Sequence, residues 1–234
     1  MGRSQAVRHQ VLVLACGGSN PSAPAKENSM TYSAPLYLAS RSVMRRELLT
    51  HAQIPFSVID NAFDESLSDW TADPLKVASS IARQKMENLS SLPAIQSCYV
   101  ITADTICIDS QGTIFGKPKN RTDAVSMLTS LRNGATTLTG FCIDKKSFID
   151  NSWFTDERLE QIVTTKVVFD VPDIWLNEYI AKSLAMDCAG ALMIESATQF
   201  VKTINGSYTN IMGLPLCEVR QALTIMGFFV FDTL

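Results

Sequence analysis

Apolar and polar residues follow two different periodicities along the chain from residue 35 onward. Short apolar runs, which predict strands, are separated by stretches in which apolar residues recur every three or four positions, which predict helices. The predicted strands cover 36–40, 56–60, 99–109, 136–147 and 161–172, and 113–118 returns as a hairpin after 99–109. The predicted helices cover 44–52, 73–92, 121–133, 172–184 and 215–227. Because the two kinds of element alternate without an internal repeat, the predicted class is α/β, with the strand order left open.

The first 29 residues have a different composition. The stretch GGSNPSAPAKENS is typical of a flexible linker, and Met30 lies just before the first convincing strand. The apolar run VLVLA near the start is shorter than the ~7 residues that a secretory signal needs. We therefore divide the chain into an N-terminal extension, 1–29, and one domain, 30–234.

Bulk charge and cysteine usage exclude several classes of partner. The 20 Lys+Arg and 23 Asp+Glu give a net charge of -3, which provides no field for binding a nucleic acid polymer. No apolar run approaches the ~20 residues needed to span a bilayer, so no membrane partner is expected. Six cysteines without a CxxC pair, and only two histidines, do not predict a structural zinc. Free thiols scattered among apolar runs favour a reducing, cytoplasmic location.

The segment after the first strand is the first candidate for chemistry. Ser40, Ser42 and Arg45 lie where this strand gives way to a helix. The N-terminus of a helix favours anions, and hydroxyl groups with a guanidinium bind phosphate oxygens well. The alternative is that Ser42 only caps the helix while Arg45 and Arg46 are solvated.

Further charged residues change that balance. Asp104 lies inside the apolar run VITADTIC, where a carboxylate needs a cation or hydrogen-bond donors; it could also simply cap a turn. Lys117 follows on the far side of the predicted hairpin, Lys85 projects from the long helix, and Asp64 and Glu65 close the opening segment. Together these groups could support a Mg²⁺-assisted attack of water on a polyphosphate.

Six short motifs occur in order between residues 36 and 225: LASRSVMRRELL, FDES, ITADTI, GKP, DCAGALMIES and GSYTNIMGLPL. Walker-type, dinucleotide-binding and GxSxG motifs are absent from the sequence. The set resembles the SxSxxR, acidic-pair, ADT, lysine and C-terminal signatures of the Maf family of nucleoside triphosphate pyrophosphatases. Each motif is weak alone, but their order makes a chance agreement improbable.

The resemblance implies a mixed, elongated sheet with flanking helices that forms two lobes around a central cleft. It also implies a homodimer that uses a divalent cation, Mg²⁺ or Mn²⁺, to split a nucleoside triphosphate into the monophosphate and pyrophosphate. The implied phosphate-binding residues are Ser40, Ser42, Arg45, Lys85 and Lys117. Glu65 and Asp104 would be the catalytic carboxylates that hold the metal, with Asp104 as the base that orients the water.

Two features bear on the substrate. The family usually has proline and arginine where this chain has Val43 and Met44, and the branch acting on 7-methyl-GTP carries a bulky apolar residue in place of that arginine. Glu195 replaces the glutamine of the branch acting on dTTP and UTP. A carboxylate can accept hydrogen bonds from a guanine edge, so the resemblance favours 7-methyl-GTP. The alternative is an exposed Glu195 without a role in base recognition, or a dTTP/UTP pyrophosphatase.

Two other function classes remain as hypotheses at this point. One is a nucleotide-binding regulator of cell division with weak catalysis, in line with the association of the family with septum formation. The other is an α/β domain without a site. Retention of Glu65, Lys85, Asp104 and Lys117 favours the enzyme, because a binding module does not need every metal and phosphate group.

Overall fold

A computed structural model describes residues 30–132 and 134–231. The predicted extension, 1–29, lies outside the described residues. The strands are β1 (Met30–Tyr32), β2 (Leu36–Ala39), β3 (Ser57–Ile59), β4 (Ser97–Ile108), β5 (Ile114–Phe115), β6 (Ala135–Ile149), β7 (Ser152–Phe169), β8 (Val201–Asn205) and β9 (Phe229–Phe231). The α-helices are α1 (Val43–His51), α2 (Pro74–Glu87), α3 (Arg121–Leu131), α4 (Asp173–Lys182), α5 (Ile194–Ala197), α6 (Tyr208–Ile211) and α7 (Leu216–Ile225). Single 3-10 turns lie at Glu65–Leu67, Ala185–Asp187, Ala189–Ala191 and Thr198–Phe200.

Seven of the strands form one mixed sheet. Its order is β3-β2-β4-β6-β7-β8, and β5 pairs with the end of β4. β2 is parallel to β3 and β4, whereas the pairs from β4 through β6 and β7 to β8 are antiparallel. β1 and β9 form a separate two-stranded ribbon that joins the two ends of the described chain. The predicted α/β class with a mixed sheet and flanking helices is confirmed.

The long hairpin of β6 and β7 is the largest departure from the predicted elements. β7 begins at Ser152, whereas the sequence pattern predicted a strand only from residue 161. The first half of β7 is polar and mostly exposed, so it lacks the apolar alternation that marks a half-buried strand. Asp150 and Asn151 both have positive φ, as a two-residue type I′ hairpin turn requires. That Asp-Asn pair was the available signal for the hairpin.

Opposite charges across the two strands stabilise this polar half. Asp144 on β6 is fully buried and accepts two hydrogen bonds, at 2.7 and 2.9 Å, from the guanidinium of Arg158 directly opposite on β7. Lys146 Nζ lies 2.8 Å from Asp144 Oδ2, which also accepts one of the two hydrogen bonds from Arg158. Burial raises the pKa of Asp144, but the hydrogen bonds and charges of Arg158 and Lys146 outweigh it, so the pKa lies below its usual value. Cross-strand ion pairs therefore stabilise this part of the hairpin, together with the aromatic pair of Phe148 and Trp153, whose ring centroids are 5.1 Å apart.

We expect Asp144→Asn to lower the free energy of unfolding by about 2 kcal/mol at neutral pH, since it weakens buried, charge-assisted hydrogen bonds. A carboxyl whose pKa is lowered by folding stabilises the fold above its ordinary value and loses that contribution as the pH falls. The difference between wild type and variant should therefore shrink as the pH drops below 3.8, the usual value for this group. Urea unfolding of both proteins at several pH values measures it; a constant difference would contradict the ion-pair explanation.

Separate cores lie against the two faces of the sheet. On β2, Leu36 and Leu38 face the core under α1 and α7, whereas Tyr37 and Ala39 face the opposite side, as the period of two in a strand requires. α2 covers that opposite side. A further core joins α3 and α4 to the ends of β6 and β7 at the other end of the molecule. The arrangement agrees with the two lobes that the resemblance implied.

The place of the cleft between the lobes follows from strand length. The last residues of β2 pair with β4 no farther than Leu38 opposite Ile101, but β4 continues to Ile108. β5 pairs only with Cys107 and Ile108 on the same edge of β4. The edge of β4 between these two partners is thus left open, just beyond the carboxyl end of β2. Ligands in α/β proteins commonly bind outside the carboxyl ends of strands.

Candidate active site

A cleft of about 420 Å³ opens at this point of the sheet. One wall is the turn at 39–45 between β2 and α1, and the floor is the open edge of β4. The opposite wall comes from the second lobe, through parts of 184–192 and 211–213. Ser40, Ser42, Arg45, Glu65, Lys85, Asp104 and Lys117, all predicted from the sequence as site residues, line this one cleft. The structure therefore brings together seven of the eight predicted residues.

Arg45 is the centre of the first cluster. Ser42 is the N-cap of α1, and its side chain accepts a hydrogen bond from the backbone of Arg45, as the simpler interpretation of this segment predicted. The Arg45 side chain, however, is only 8% exposed, so the solvated alternative is wrong for it. Its Nε donates to Gly213 O at 2.7 Å, and its two terminal nitrogens donate to Ser40 Oγ at 3.3 Å and Thr105 Oγ1 at 3.0 Å. Burial lowers the pKa of the Arg45 guanidinium, although the charges of nearby carboxylates oppose that shift.

Gly213 is required at this point for its backbone conformation. Its φ of +104° lies in the region that favours glycine, and its carbonyl oxygen accepts from both Arg45 and the Thr105 hydroxyl. A Cβ there would lie 3.4 Å from Thr105 Oγ1 and 3.5 Å from Arg45 Nε. The glycine of the signature GSYTNIMGLPL thus fixes an arginine that is 168 residues away in sequence.

Lys85 is the centre of the second cluster. Its Nζ lies 2.6 Å from Glu65 Oε1 and 2.7 Å from Asp104 Oδ1. Lys85 and Asp104 are both buried, and they meet because alternate residues of β4 point toward α2, which carries the lysine. The ammonium group therefore lies between the two carboxylates that the family resemblance implied as metal ligands.

Folding shifts the pKa values of the two carboxylates in opposite directions. Burial raises the pKa of Asp104 above its usual value, and the charge of Glu65 adds to that shift, while Lys85 and Arg45 oppose it. Burial also raises the pKa of Glu65, but the combined charges of Lys85, Lys117 and Arg45 outweigh it, so this pKa is lowered. A buried carboxylate with a raised pKa is the better proton acceptor of the two.

These donors fit a divalent cation when a polyphosphate is present. Within the described residues, no group of three or more His, Cys, Asp or Glu side chains is placed to hold a metal alone. Among the same residues, Asp104 Oδ2 and Glu65 Oε2 accept no hydrogen bond, so one oxygen of each carboxylate is available. Mg²⁺ is commonly held by one or two carboxylates together with substrate phosphates and water. Glu65 and Asp104 match that donor set.

Lys117 and Trp70 line the cleft near Glu65. Lys117 is exposed on the turn after β5, and its charge contributes to the lowered pKa of Glu65. The Trp70 indole donates to the Glu65 carbonyl at 3.3 Å, and its ring lies against Gly116. Asp64 does not line the cleft; it caps the 3-10 turn that carries Glu65, by accepting from Ser66 N at 2.9 Å. The acidic pair thus contains one site carboxylate and one structural one.

Glu195 is the predicted site residue that does not line the cleft. It lies in the short helix α5, and its Oε1 is buried without a hydrogen-bond partner among the described residues. Burial raises the pKa of Glu195. Its charge in turn helps to raise the pKa of the Cys188 thiol, a cleft residue whose own burial is the larger cause. Glu195 follows the cleft-lining residue Leu192 by three positions, and its role in base recognition stays a prediction.

The comparison with known families agrees with this geometry. Residues 35–226 match the model of a family described as Maf-like protein. The chain belongs to the Maf-like protein family. The match extends from the start of β2 to the end of α7, so it includes both lobes and both walls of the cleft.

Individual members of the Maf-like family cover nearly the same length. A nucleoside triphosphate pyrophosphatase of Chlamydia pneumoniae is 30% identical over 201 residues, which are 86% of this chain and 98% of that protein. The dTTP/UTP pyrophosphatase of Geotalea uraniireducens is 37% identical over 195 residues, 82% of this chain and 95% of that protein. That of Geobacter sulfurreducens is 35% identical over 195 residues. The predictions of family and of an enzyme, a hydrolase acting on acid anhydrides, are confirmed.

Sequence reasoning gave no role to three residues that organise the Maf-like site. Thr105 directly follows Asp104, and because neighbouring strand residues point to opposite faces, Thr105 reaches Arg45 while Asp104 reaches Lys85. The backbone carbonyl of Gly213 accepts a hydrogen bond from the Arg45 side chain, and the Trp70 indole donates one to the backbone carbonyl of Glu65. The alternation along β4 was visible in the sequence, but the partners on either side were not.

Proposed function

We propose that this chain hydrolyses a nucleoside triphosphate between the α- and β-phosphates, giving the nucleoside monophosphate and pyrophosphate. The observation that carries the proposal is the pair of clusters on the two sides of β4, Arg45 with Ser40 and Thr105, and Lys85 with Glu65 and Asp104. Cations and hydroxyl groups suit the phosphates, and a buried carboxylate beside them suits a water molecule.

Asp104 acts as the base in this reaction. Its carboxylate accepts a proton from the water that attacks the α-phosphorus, and the bond to the bridging oxygen of pyrophosphate breaks. The charge and hydrogen bond of Lys85 oppose the burial that raises the pKa of Asp104, and the ammonium group neutralises charge near the phosphates. Arg45 and Ser40 orient the phosphate oxygens, so that catalysis is mainly positioning and charge stabilisation.

Glu65 and Asp104 would hold a divalent cation, Mg²⁺ or Mn²⁺, through their available oxygens. When bound, such a cation neutralises charge on the phosphate oxygens. The unpaired oxygens of both carboxylates support this part of the proposal.

The preferred substrate is proposed to be 7-methyl-GTP, because of Met44 and Glu195. The Oε1 of Glu195 is buried without a hydrogen-bond partner among the described residues, three positions after the cleft-lining Leu192, which supports a donor-bearing base as its partner. The alternative is dTTP and UTP, which is favoured by the names of the relatives from Geotalea and Geobacter. A weakly catalytic nucleotide-binding regulator of cell division is a further alternative, with an intact cleft but little turnover.

Pyrophosphate release tests the proposal directly. The purified chain is assayed with Mg²⁺ or Mn²⁺ on 7-methyl-GTP, GTP, dTTP, UTP and CTP. Metal-dependent release of one pyrophosphate per monophosphate would support the hydrolase, and the ranking of kcat/KM would identify the base. Nucleotide binding without any release would favour the regulator instead.

We expect Glu195→Gln to shift the ratio of kcat/KM for 7-methyl-GTP over dTTP by about tenfold toward dTTP, because a charge-assisted acceptor for the guanine edge is lost. Glu218→Gln is the matched control: Glu218 also has a buried oxygen without a partner among the described residues, but it lies on α7 outside the cleft. Steady-state kinetics on both nucleotides measure the ratio. An unchanged ranking would rule out Glu195 as a base-reading residue.

We propose a cytoplasmic homodimer for the working enzyme. The cysteines of the described residues, Cys98, Cys107, Cys142, Cys188 and Cys217, are all free, which supports a reducing location. Within the same part of the chain, no helix is long and apolar enough to cross a membrane. Mass measurement in solution tests the dimer, which rests on the family resemblance alone.

A further inference from the structure

Two of the three cations expected to bind phosphate, Lys85 and Arg45, are already engaged by protein groups. Lys85 lies between Glu65 and Asp104, at 2.6 and 2.7 Å. Arg45 uses three of its five N–H groups for the Gly213 carbonyl and the hydroxyls of Ser40 and Thr105. A triphosphate carries several negative charges, so further uncommitted cations are needed at this cleft. Within the described residues, the cations lining the cleft besides these two are Lys117 and Arg41.

Arg41 lies in the turn between β2 and α1, one residue before the helix cap Ser42. Its side chain is exposed and lines the cleft. Among the described residues, the guanidinium of Arg41 has no ion pair and no hydrogen bond; only its backbone carbonyl is contacted, by the Arg46 side chain at 3.4 Å. All of its N–H groups are therefore available for phosphate oxygens.

The same turn lacks a cation at the position where the family resemblance implies one. Met44, which also lines the cleft, stands in place of that arginine. Arg41 returns a guanidinium to the same wall from a position three residues earlier. We infer that Arg41 is a phosphate-binding residue of this site and that it contacts the outer phosphates, the part released as pyrophosphate. The inference rests on the proposed function, because it assigns a further residue to the same substrate.

The depth of Asp104 in the cleft indicates which phosphates Arg41 contacts. The α-phosphate has to reach Asp104, which is buried, so the phosphates farther along the chain extend toward the exposed rim. Arg41 and Lys117 are the exposed cations there. The outer phosphates also carry the most charge, so they gain most from a guanidinium that can bind two oxygens at once.

We expect Arg41→Gln to raise KM for the preferred triphosphate about tenfold with kcat within about twofold, since the lost contact favours substrate and transition state alike. The dissociation constant of inorganic pyrophosphate, measured by calorimetry with Mg²⁺, should rise by a similar factor, while those of GMP and dTMP stay unchanged. Arg46→Gln is the matched control, because it removes the same charge from the same helix end but outside the cleft lining. It should leave all of these constants near wild type.

A second variant tests the inference by restoration. Adding Met44→Arg to Arg41→Gln returns one guanidinium to the same wall of the cleft, and it should recover most of the affinity for pyrophosphate. Equal KM values for Arg41→Gln and wild type would overturn the inference, as would an equal loss of monophosphate binding. Because pyrophosphate binding needs no turnover, a wild-type chain that binds pyrophosphate but hydrolyses no nucleotide would contradict the proposed function and still leave Arg41 to be judged by its own binding constants.

Discussion

Asp104→Asn is expected to reduce kcat for pyrophosphate release about 10³-fold, within the range that a positioned general base contributes. The substitution keeps the shape of the side chain and its place beside Lys85, but an amide cannot accept the proton of water. Affinity for inorganic pyrophosphate, measured without a divalent cation because Asp104 is also a proposed ligand of that cation, should stay within about threefold, since Arg45, Lys85 and Lys117 remain. Single-turnover kinetics and calorimetry on the same preparation separate the two effects.

The stability of this variant should move in the opposite direction from its activity. Folding raises the pKa of Asp104, mainly through burial, so the ionised carboxylate costs stability at neutral pH that the protonated form does not. Replacing it with a neutral amide should therefore leave the free energy of unfolding unchanged or raise it. Such a result would mean that the protein keeps Asp104 for catalysis although the residue lowers the stability of the fold.

Asp144→Asn is the matched control for a buried carboxylate paired with cations. Asp144 is outside the cleft lining, and its pKa is lowered by folding, so its loss should reduce stability while kcat stays near wild type. We thus expect Asp104→Asn to lose activity but not stability, and Asp144→Asn to lose stability but not activity. If Asp104→Asn were destabilising and still active, Asp104 would be a structural residue and another base would have to be found.

Gly140→Ala is expected to lower the free energy of unfolding by about 3 kcal/mol, the upper part of the range for overpacking. Gly140 lies on β6 directly opposite Asp104. A Cβ at this position would come within 2.5 Å of Ala78 O and 2.9 Å of Ser79 N, which are backbone atoms of α2. Backbone atoms cannot rotate away as a side chain can, so the whole helix has to move from the sheet.

That movement should also reduce turnover, by tenfold or more if the ammonium of Lys85 shifts by about 1 Å. Lys85 lies two turns along α2 from Ala78, and a buried hydrogen bond of 2.6 Å from Thr102 to Ala82 O fixes the helix between them. Withdrawal of α2 breaks this bond and separates Lys85 from Asp104. Thermal unfolding, with an expected fall of roughly 10 °C for a domain of this size, and kcat together measure the effect.

Gly112→Ala provides the comparison for a change in conformation without a change in packing. A Cβ at Gly112 has no atom within 4 Å, although its φ of +88° disfavours alanine. We expect backbone strain to lower the free energy of unfolding by about 1 kcal/mol and kcat to stay unchanged. Equal stability and equal turnover for the two variants would mean that close contact between Gly140 and α2 is not needed to place Lys85.

The sequence alone determined the elements that depend on near neighbours. The start of α2 was predicted from Asp73 and Pro74, and the Asp73 side chain does accept from Leu75 N at 2.9 Å. Helix α1 begins after Ser42, as the capping pattern indicated. The apolar run around Asp104 was correctly predicted as a strand, and the motif order was enough to identify the family. Caps and periodicity act over a few residues, so they are visible in the chain itself.

The tertiary structure decided which groups meet. In the polar first half of β7, Arg158 pairs with Asp144 directly opposite it on β6, and the pairing of β1 with β9 joins the two ends of the described chain. The sequence predicted that Lys85 binds phosphate, but it did not predict the contacts of Lys85 with Glu65 and Asp104. Partner choice depends on the pairing order of the sheet and on which helix covers which face, and these are set by the packing of the whole chain.

The same distinction separates the candidate site residues. Asp104 was recognisable because a carboxylate inside an apolar run has a cost that the sequence already reveals. Arg41 was not, because an arginine beside a helix cap is ordinary on a surface. Only the cleft shows that, among residues 30–132 and 134–231, Arg45 and Lys85 have partners for their charged groups and Arg41 has none. The sequence therefore specified the reactive groups and the local elements that carry them, whereas the fold specified which of those groups are left available, because hydrogen-bonding and charge commitments are made between residues far apart in the chain.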